Sequence, residues 1–229
     1  MKYGIIGAMD EEIDFLEKIM TNKRVSTIAS VQFTEGKLHG KDITLLKSGI
    51  GKVNAAMATS ILMERFKPSH VINTGSAGGF STNMQVGDVV VGNEVVHHDV
   101  DVTAFNYEYG QVPNMPATFQ ADHKLMQMTE KIVEQLMLNY ETGLIATGDS
   151  FMNDPKQVES VKELFPTMIA VEMEGAAIAQ VCYQYKIPFI IIRALSDIAG
   201  SESPVTFQEY LQLAARNAAN IISEIVKNS

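Results

Sequence analysis

The segment Phe-Ile-Ile-Ile-Arg-Ala-Leu at residues 189–195 shows no polar alternation, and a strand of that kind has to be covered on both faces. Residues 2–8, 70–74 and 168–171 are similar short apolar runs. Between such runs lie segments with apolar residues at helical spacing, as at Ile13, Leu16, Ile19 and Met20. Strands alternating with helices build an α/β fold whose largely parallel sheet is covered by helices. Further helices are expected over residues 52–66, 122–138, 155–164, 174–185 and 204–226, and strands over 25–33, 43–47, 88–97 and 142–147. Asp10 is the expected N-cap of the first helix, Pro68 the stop of the second, and Gly36 and Gly40 the turn between two early strands. Gly-Ser-Ala-Gly-Gly at residues 75–79 reads as a tight turn after a buried strand. Residues 99–120 hold aromatics and prolines without periodicity. Connections longer than roughly 12–15 residues are seldom idle, so this loop is expected to serve function.

No repeat or low-complexity linker divides the 229 residues, and one domain over residues 1–229 is expected. With 18 Lys and Arg against 27 Asp and Glu, the net charge of −9 disfavours a nucleic-acid partner. The single cysteine, Cys182, can form neither an internal disulfide nor a cysteine-based zinc site, which fits a reducing compartment. The apolar run at the N-terminus meets three acids, Asp10 to Glu12, and is too short for a signal segment. No stretch has the ~18 apolar residues that a membrane span requires. A cytoplasmic protein with no membrane partner is therefore expected.

In α/β folds ligands bind beyond the carboxyl ends of strands. That rule selects residues 9–12, 48–52, 75–79, 148–153, 172–174 and 196–199. The glycines at 4 and 7 lack the spacing of a dinucleotide-binding turn, and acids occupy the helix start where a pyrophosphate would sit. Glu11 and Glu12 there serve either the helix dipole or a ligand. Small residues at 75–79 allow close approach of backbone and ligand. Glu172 and Glu174, two apart on extended backbone, can share one face. Arg193 in an apolar strand needs an anionic partner, and Asp197 at the end of that strand could donate a proton if buried. His97 and His98 are adjacent, so strand geometry sends them to opposite faces and they cannot easily share a metal ion. Met9 and Met173 place soft thioethers at strand ends, suited to an apolar or sulfur-bearing ligand.

Seven segments, GIIGAMDEE, KSGIGKVNAA, NTGSAGG, HDVDVTAFNYEYGQVP, TGDSFM, AVEMEGAAIA and RALSD, together resemble the bacterial 5′-methylthioadenosine/S-adenosylhomocysteine nucleosidases, in that family's order and from residue 2 to the last helix. The resemblance implies a three-layer α/β/α sandwich of the nucleoside phosphorylase type, with a mixed central sheet. It implies a homodimer and hydrolysis of an N-glycosidic bond, without cofactor or metal, on a small nucleoside thioether. By similarity Asp197, with Ser196 beside it, protonates adenine, Glu12 takes a proton from water, and Glu174 holds the ribose hydroxyls. Ser76 and Arg193 are expected to hold the water and the carboxylates, with Ala77, Gly78, Glu172 and Ala199 also at the substrate. Phe151 is expected to stack on the purine and the backbone of Met152 to read its edge. Met9, Ile50, Met173 and Phe207 form the pocket for the sulfur substituent, and Val102, Phe105 and Pro113 reach it from the partner subunit. Residue 152 is Met where the family often has Ile, residue 175 Gly for Ala, and residue 97 His for Tyr; none removes a catalytic group. Rival readings are a nucleoside phosphorylase, a non-catalytic nucleoside-binding protein and a hydrolase of another adenosine derivative such as futalosine. A phosphorylase must hold an anion. Here Asn73 stands where such relatives carry Arg, and Asp10, Glu11 and Glu12 would repel phosphate.

Overall fold

The computed structural model describes residues 1–199 and 203–229, without the side chains at 203–206 and 208. The strands are β1 (Lys2–Gly7), β2 (Thr21–Ile28), β3 (Val31–Leu38), β4 (Lys41–Lys47), β5 (His70–Gly79), β6 (Val89–His97), β7 (Phe119–Gln120), β8 (Tyr140–Thr147), β9 (Met168–Glu172) and β10 (Phe189–Ile198). The helices are α1 (Asp10–Ile19), α2 (Lys52–Ile61), α3 (His123–Gln135), α4 (Pro155–Leu164), α5 (Gly175–Tyr185) and α6 (Ser203–Asn228). A π-helical turn, Leu62–Phe66, extends α2 until Lys67 adopts a left-handed conformation just before Pro68.

All ten strands of the described residues belong to one mixed sheet. Its open part runs β2-β3-β4-β1-β5. β5 then pairs with both β10 and β9, and β10-β6-β8-β9 completes a closed five-stranded ring with β5. The apolar runs are explained by two cores on opposite faces of the sheet. Ile5, Ile72, Ile190 and Ile192 pack with Ile13, Leu16, Ile132 and Ile222 from α1, α3 and α6. Their strand neighbours Ile6, Val71 and Ile191 pack instead with Ala58 of α2 and Ala176 and Ile178 of α5. Successive side chains alternate between faces, so a strand covered by helices on both sides is apolar at every position.

Four local expectations are corrected. The strand expected over 25–33 is two strands, because Ala29 and Ser30 both have positive φ, at 50° and 64°, and turn β2 into β3. That turn lacks the Asn-Gly or Asp-Gly usual at such positions, so no sequence signal marks it. Gly36 lies inside β3, where a Cβ would stand 2.8 Å from the Thr21 carbonyl oxygen. Residues 75–79 are not a turn; they continue β5 and pair with β10 as far as Ile198. The N-cap of α1 is Met9 rather than Asp10, with the Glu12 carboxylate accepting from the Met9 amide at 3.2 Å. Among the described residues no helix is long and apolar enough to cross a membrane.

Candidate active site

The carboxyl ends of β1, β5, β9 and β10 open on a cavity of about 390 Å³. Glu12 reaches it from the first turn of α1. Its Oε2 accepts from the amides of Ala8 at 2.7 Å and Met9 at 3.2 Å. Its Oε1 accepts from the Ser76 amide at 3.0 Å and the Ser76 hydroxyl at 3.2 Å. Four donors thus fix a carboxylate that is only 3% exposed. Gly75 makes room for it: a Cβ there would lie 2.7 Å from Glu12 Oε1 and 2.6 Å from Arg193 Nη1.

Asp197, also 3% exposed, reaches the same cavity from the end of β10. The register against β5 slips between Leu195 and Asp197, which leaves Ser196 as the extra residue of a β-bulge. Bulges re-aim side chains next to active sites. Both Ser196 and Asp197 line the cavity as a result, and the Ser196 hydroxyl donates to Asp197 Oδ1 at 2.9 Å. A Cβ on Gly78 would lie 3.3 Å from Asp197 Oδ2, whereas Gly75 abuts Glu12. The two acids therefore flank β5 three residues apart, roughly 10 Å of strand.

Between them lies a buried charge cluster. Glu172 ends β9, and its Oε2 accepts from the amides of Glu174 at 3.1 Å and Gly175 at 2.7 Å, the first amides of α5. Thr147 donates its hydroxyl to Glu172 Oε1, and Arg193 pairs with Oε2. Arg193 also donates to Asn73 Oδ1 at 2.7 Å and stands 3.8 Å from Glu174. Burial opposes its charge, yet Glu172, Glu174 and Glu12 outweigh that and raise its pKa above the ordinary arginine value. Arg193 lies behind the cavity wall rather than in it; it touches Glu172 directly and reaches the cavity only through the carboxylates. Glu174 accepts from the Gly51 amide at 2.9 Å. Burial and the charge of Glu172 push the Glu174 carboxyl up to about 8, against the pull of Arg193 and the Gly51 amide.

That shift predicts a pH-dependent stability. The folded pKa lies above the unfolded value, so the contribution of Glu174 is fully present below about pH 4.5 and is lost as pH rises through about 8. Glu174→Gln removes the carboxylate whose burial becomes costly. Its thermal midpoint relative to wild type should therefore rise from pH 5 to pH 9, as read by ligand-free melts. A difference that shrinks over that range would contradict the assignment.

The walls are apolar. Met9, Ile50, Ala77, Gly78, Phe151, Met152, Met173, Ala199 and Phe207 all line the cavity. Phe151 and Phe207 meet edge to face, with ring centroids 5.8 Å apart. Val102, Phe105 and Pro113 do not line this cavity, and Phe105 is 75% exposed. Sequence reasoning missed Ala8 and Val171 of the lining, each adjacent to a residue it had singled out, whereas Ser150 falls in the selected segment 148–153. It also missed Thr147, whose hydroxyl supports Glu172; nothing in a Thr at a strand end marks that role. His97 bonds Gln180 at 3.0 Å and packs edge-on against Phe119. Among the described residues no group of three His, Cys, Asp or Glu could hold a metal ion.

A mixed sheet that curls into a ring and gathers four acids from three strand ends into one apolar cavity defines an enzyme of the phosphorylase superfamily, whose profile residues 2–227 match. The nucleosidase named for 5′-methylthioadenosine and S-adenosylhomocysteine from a Geobacillus species is 58% identical over 100% of this chain and 99% of its own. That of Bacillus subtilis is 54% identical, covering 99% of both chains. The crystal structure of the Neisseria meningitidis enzyme, in complex with methylthio-immucillin-A, superposes with a TM-score of 0.98 at 45% identity, covering 100% of this chain and 99% of that one. The chain belongs to the 5′-methylthioadenosine/S-adenosylhomocysteine nucleosidases.

Proposed function

We propose that the protein hydrolyses the N-glycosidic bond of 5′-methylthioadenosine and S-adenosylhomocysteine, and of 5′-deoxyadenosine, releasing adenine and the 5-substituted ribose in methionine salvage and the activated methyl cycle. The observation that carries this reading is that Glu12 and Asp197, far apart in sequence, both line one cavity of about 390 Å³. Water gives a proton to Glu12 as its oxygen bonds to C1′ of the ribose. The C1′–N9 bond breaks, its electron pair passes into the purine, and Asp197 delivers a proton at N7. One water is consumed, and adenine leaves neutral. The ribose gains oxocarbenium character on the way, as in other glycoside hydrolyses. Glu174, at the ribose hydroxyls, holds the sugar, and where it is ionised its charge favours that cation. Arg193 holds Glu172 and Glu174 at their stations, and Ser76 holds Glu12.

Phe151 stacks on the purine and the backbone of Met152 reads its edge. Met9, Ile50, Met173 and Phe207 receive the 5′ substituent, where thioether and aromatic groups suit sulfur. The exposure of Phe105 supports a homodimer in which Val102, Phe105 and Pro113 complete the partner's pocket. Residues 1–229 act as one domain, a reading supported by the superfamily match over residues 2–227. Buried, unbridged Cys182 supports a cytoplasmic location.

Water rather than phosphate is the nucleophile because the acids at the start of α1 repel an anion and Asn73 is already engaged by Arg193. Adenine release from both thioethers should be unchanged by added phosphate, in rate and in sugar product. A ribose 1-phosphate derivative among the products would overturn the hydrolytic reading. Sedimentation of the same sample tests the dimer, which a fully active monomer would refute.

A further inference from the structure

Lys52, Asp99 and Asp149 form a closed ring of polar contacts outside the cavity lining. The Lys52 amide donates to Asp149 Oδ1 at 2.7 Å, the Asp149 amide donates to Asp99 Oδ2 at 3.0 Å, and the Lys52 ammonium pairs with Asp99 Oδ1. Each member belongs to a different part of the site. Lys52 opens α2 directly after Gly51, whose own amide is given to Glu174 at 2.9 Å. Asp149 immediately precedes Ser150, Phe151 and Met152 of the cavity wall. Asp99 opens the segment that carries Val102, Phe105 and Pro113. Consecutive amides at one helix start thus serve the ribose-side carboxylate and the purine-side loop. Gly51 permits this with a φ of 94°, and a Cβ there would lie 3.0 Å from Asp149 Oδ1.

We infer that Asp149, held by Asp99, is a positioning residue that sets the purine wall against the ribose site. This rests on the reading of Phe151 and Met152 as the purine wall. Burial disfavours the Asp99 carboxylate, but Lys52 and the Asp149 amide outweigh burial and hold it below the usual carboxylate range. The purine is gripped in both ground and transition states. Loosening its wall therefore removes uniform binding, which raises KM and leaves kcat nearly unchanged.

The test is steady-state adenine release from 5′-methylthioadenosine together with the calorimetric Kd of adenine, which needs no turnover. Asp149→Ala should raise both KM and the adenine Kd about tenfold or more, with kcat within about threefold. Asp149→Asn keeps an acceptor for the Lys52 amide and should restore both to within about threefold of wild type. Asp99→Ala should act in the same direction. The double variant Asp99→Ala/Asp149→Ala should be no worse than Asp149→Ala alone, because the two act as one unit. A merely structural role would lower the active fraction, and hence apparent kcat, at constant KM and Kd. That pattern, or fold-changes that multiply in the double variant, would overturn the inference. A wild-type protein that binds adenine but releases none from the thioether would refute the proposed hydrolysis while the Kd series still decides the ring.

Discussion

Asp197→Asn is expected to lower kcat for adenine release by about 10³-fold, within the range by which positioned acids accelerate proton transfer. Adenine is a poor leaving group as an anion, and the cavity offers the purine a donor at Asp197 beside the bulge of β10. An asparagine keeps the size of the side chain and an oxygen to accept from Ser196, which now approaches at 2.9 Å. It can offer a hydrogen bond to N7 but cannot release the proton. The fold should therefore survive, with a thermal midpoint close to wild type and KM little altered. Turnover near wild type would remove Asp197 from its role, and a collapse of the midpoint would move the effect from chemistry to structure.

Glu12→Gln should cost kcat about as much, and it should also cost stability. Both oxygens of Glu12 accept, Oε2 from the Ala8 and Met9 amides and Oε1 from the Ser76 amide and hydroxyl. A glutamine must turn its NH2 toward one of these pairs of donors. The Ser76 hydroxyl could rotate to accept, but the Ser76 amide would then face another donor in a buried place. An unsatisfied buried donor costs roughly 1–3 kcal/mol, which for a protein of this size lowers Tm by several degrees. The two variants are thus separable: equal losses of rate, but a melting shift only for Glu12→Gln. A Glu12→Gln protein that melts like wild type would contradict the four-donor geometry, and one that retains full turnover would contradict the role of base.

Much of this site is legible in the amino-acid order because it follows one rule. Glu12, Ser76, Phe151, Glu172, Glu174 and Asp197 were all marked by standing just beyond apolar strands, and all line one cavity. What stayed hidden depends on pairing between distant segments. Gly-Ser-Ala-Gly-Gly reads locally as a turn; it is strand because β10 pairs beside it as far as Ile198. The bulge at Ser196 exists only relative to β5, so no property of Arg-Ala-Leu-Ser-Asp reveals it. The bonds of Asn73 to Arg193 and of Thr147 to Glu172 link strand residues whose types are ordinary where they stand. The Ala29–Ser30 hairpin failed for a different reason, since left-handed backbone was placed on residues that seldom adopt it.

The ring of strands also bears on how the chain reaches its active form. β5 pairs Val71 with Phe189 and carries that pairing on to Gly79 and Ile198, so it waits for a neighbour more than a hundred positions later in the chain. Contacts of such sequence separation form late, after much loop entropy has been given up. During synthesis the first half can assemble β1 to β4, but Ile191 and Leu195, which belong to the core beside β5, have not yet been made. The active site is therefore complete only after the penultimate element of the nascent polypeptide slots between β5 and β6, bringing Arg193 and Asp197 with it.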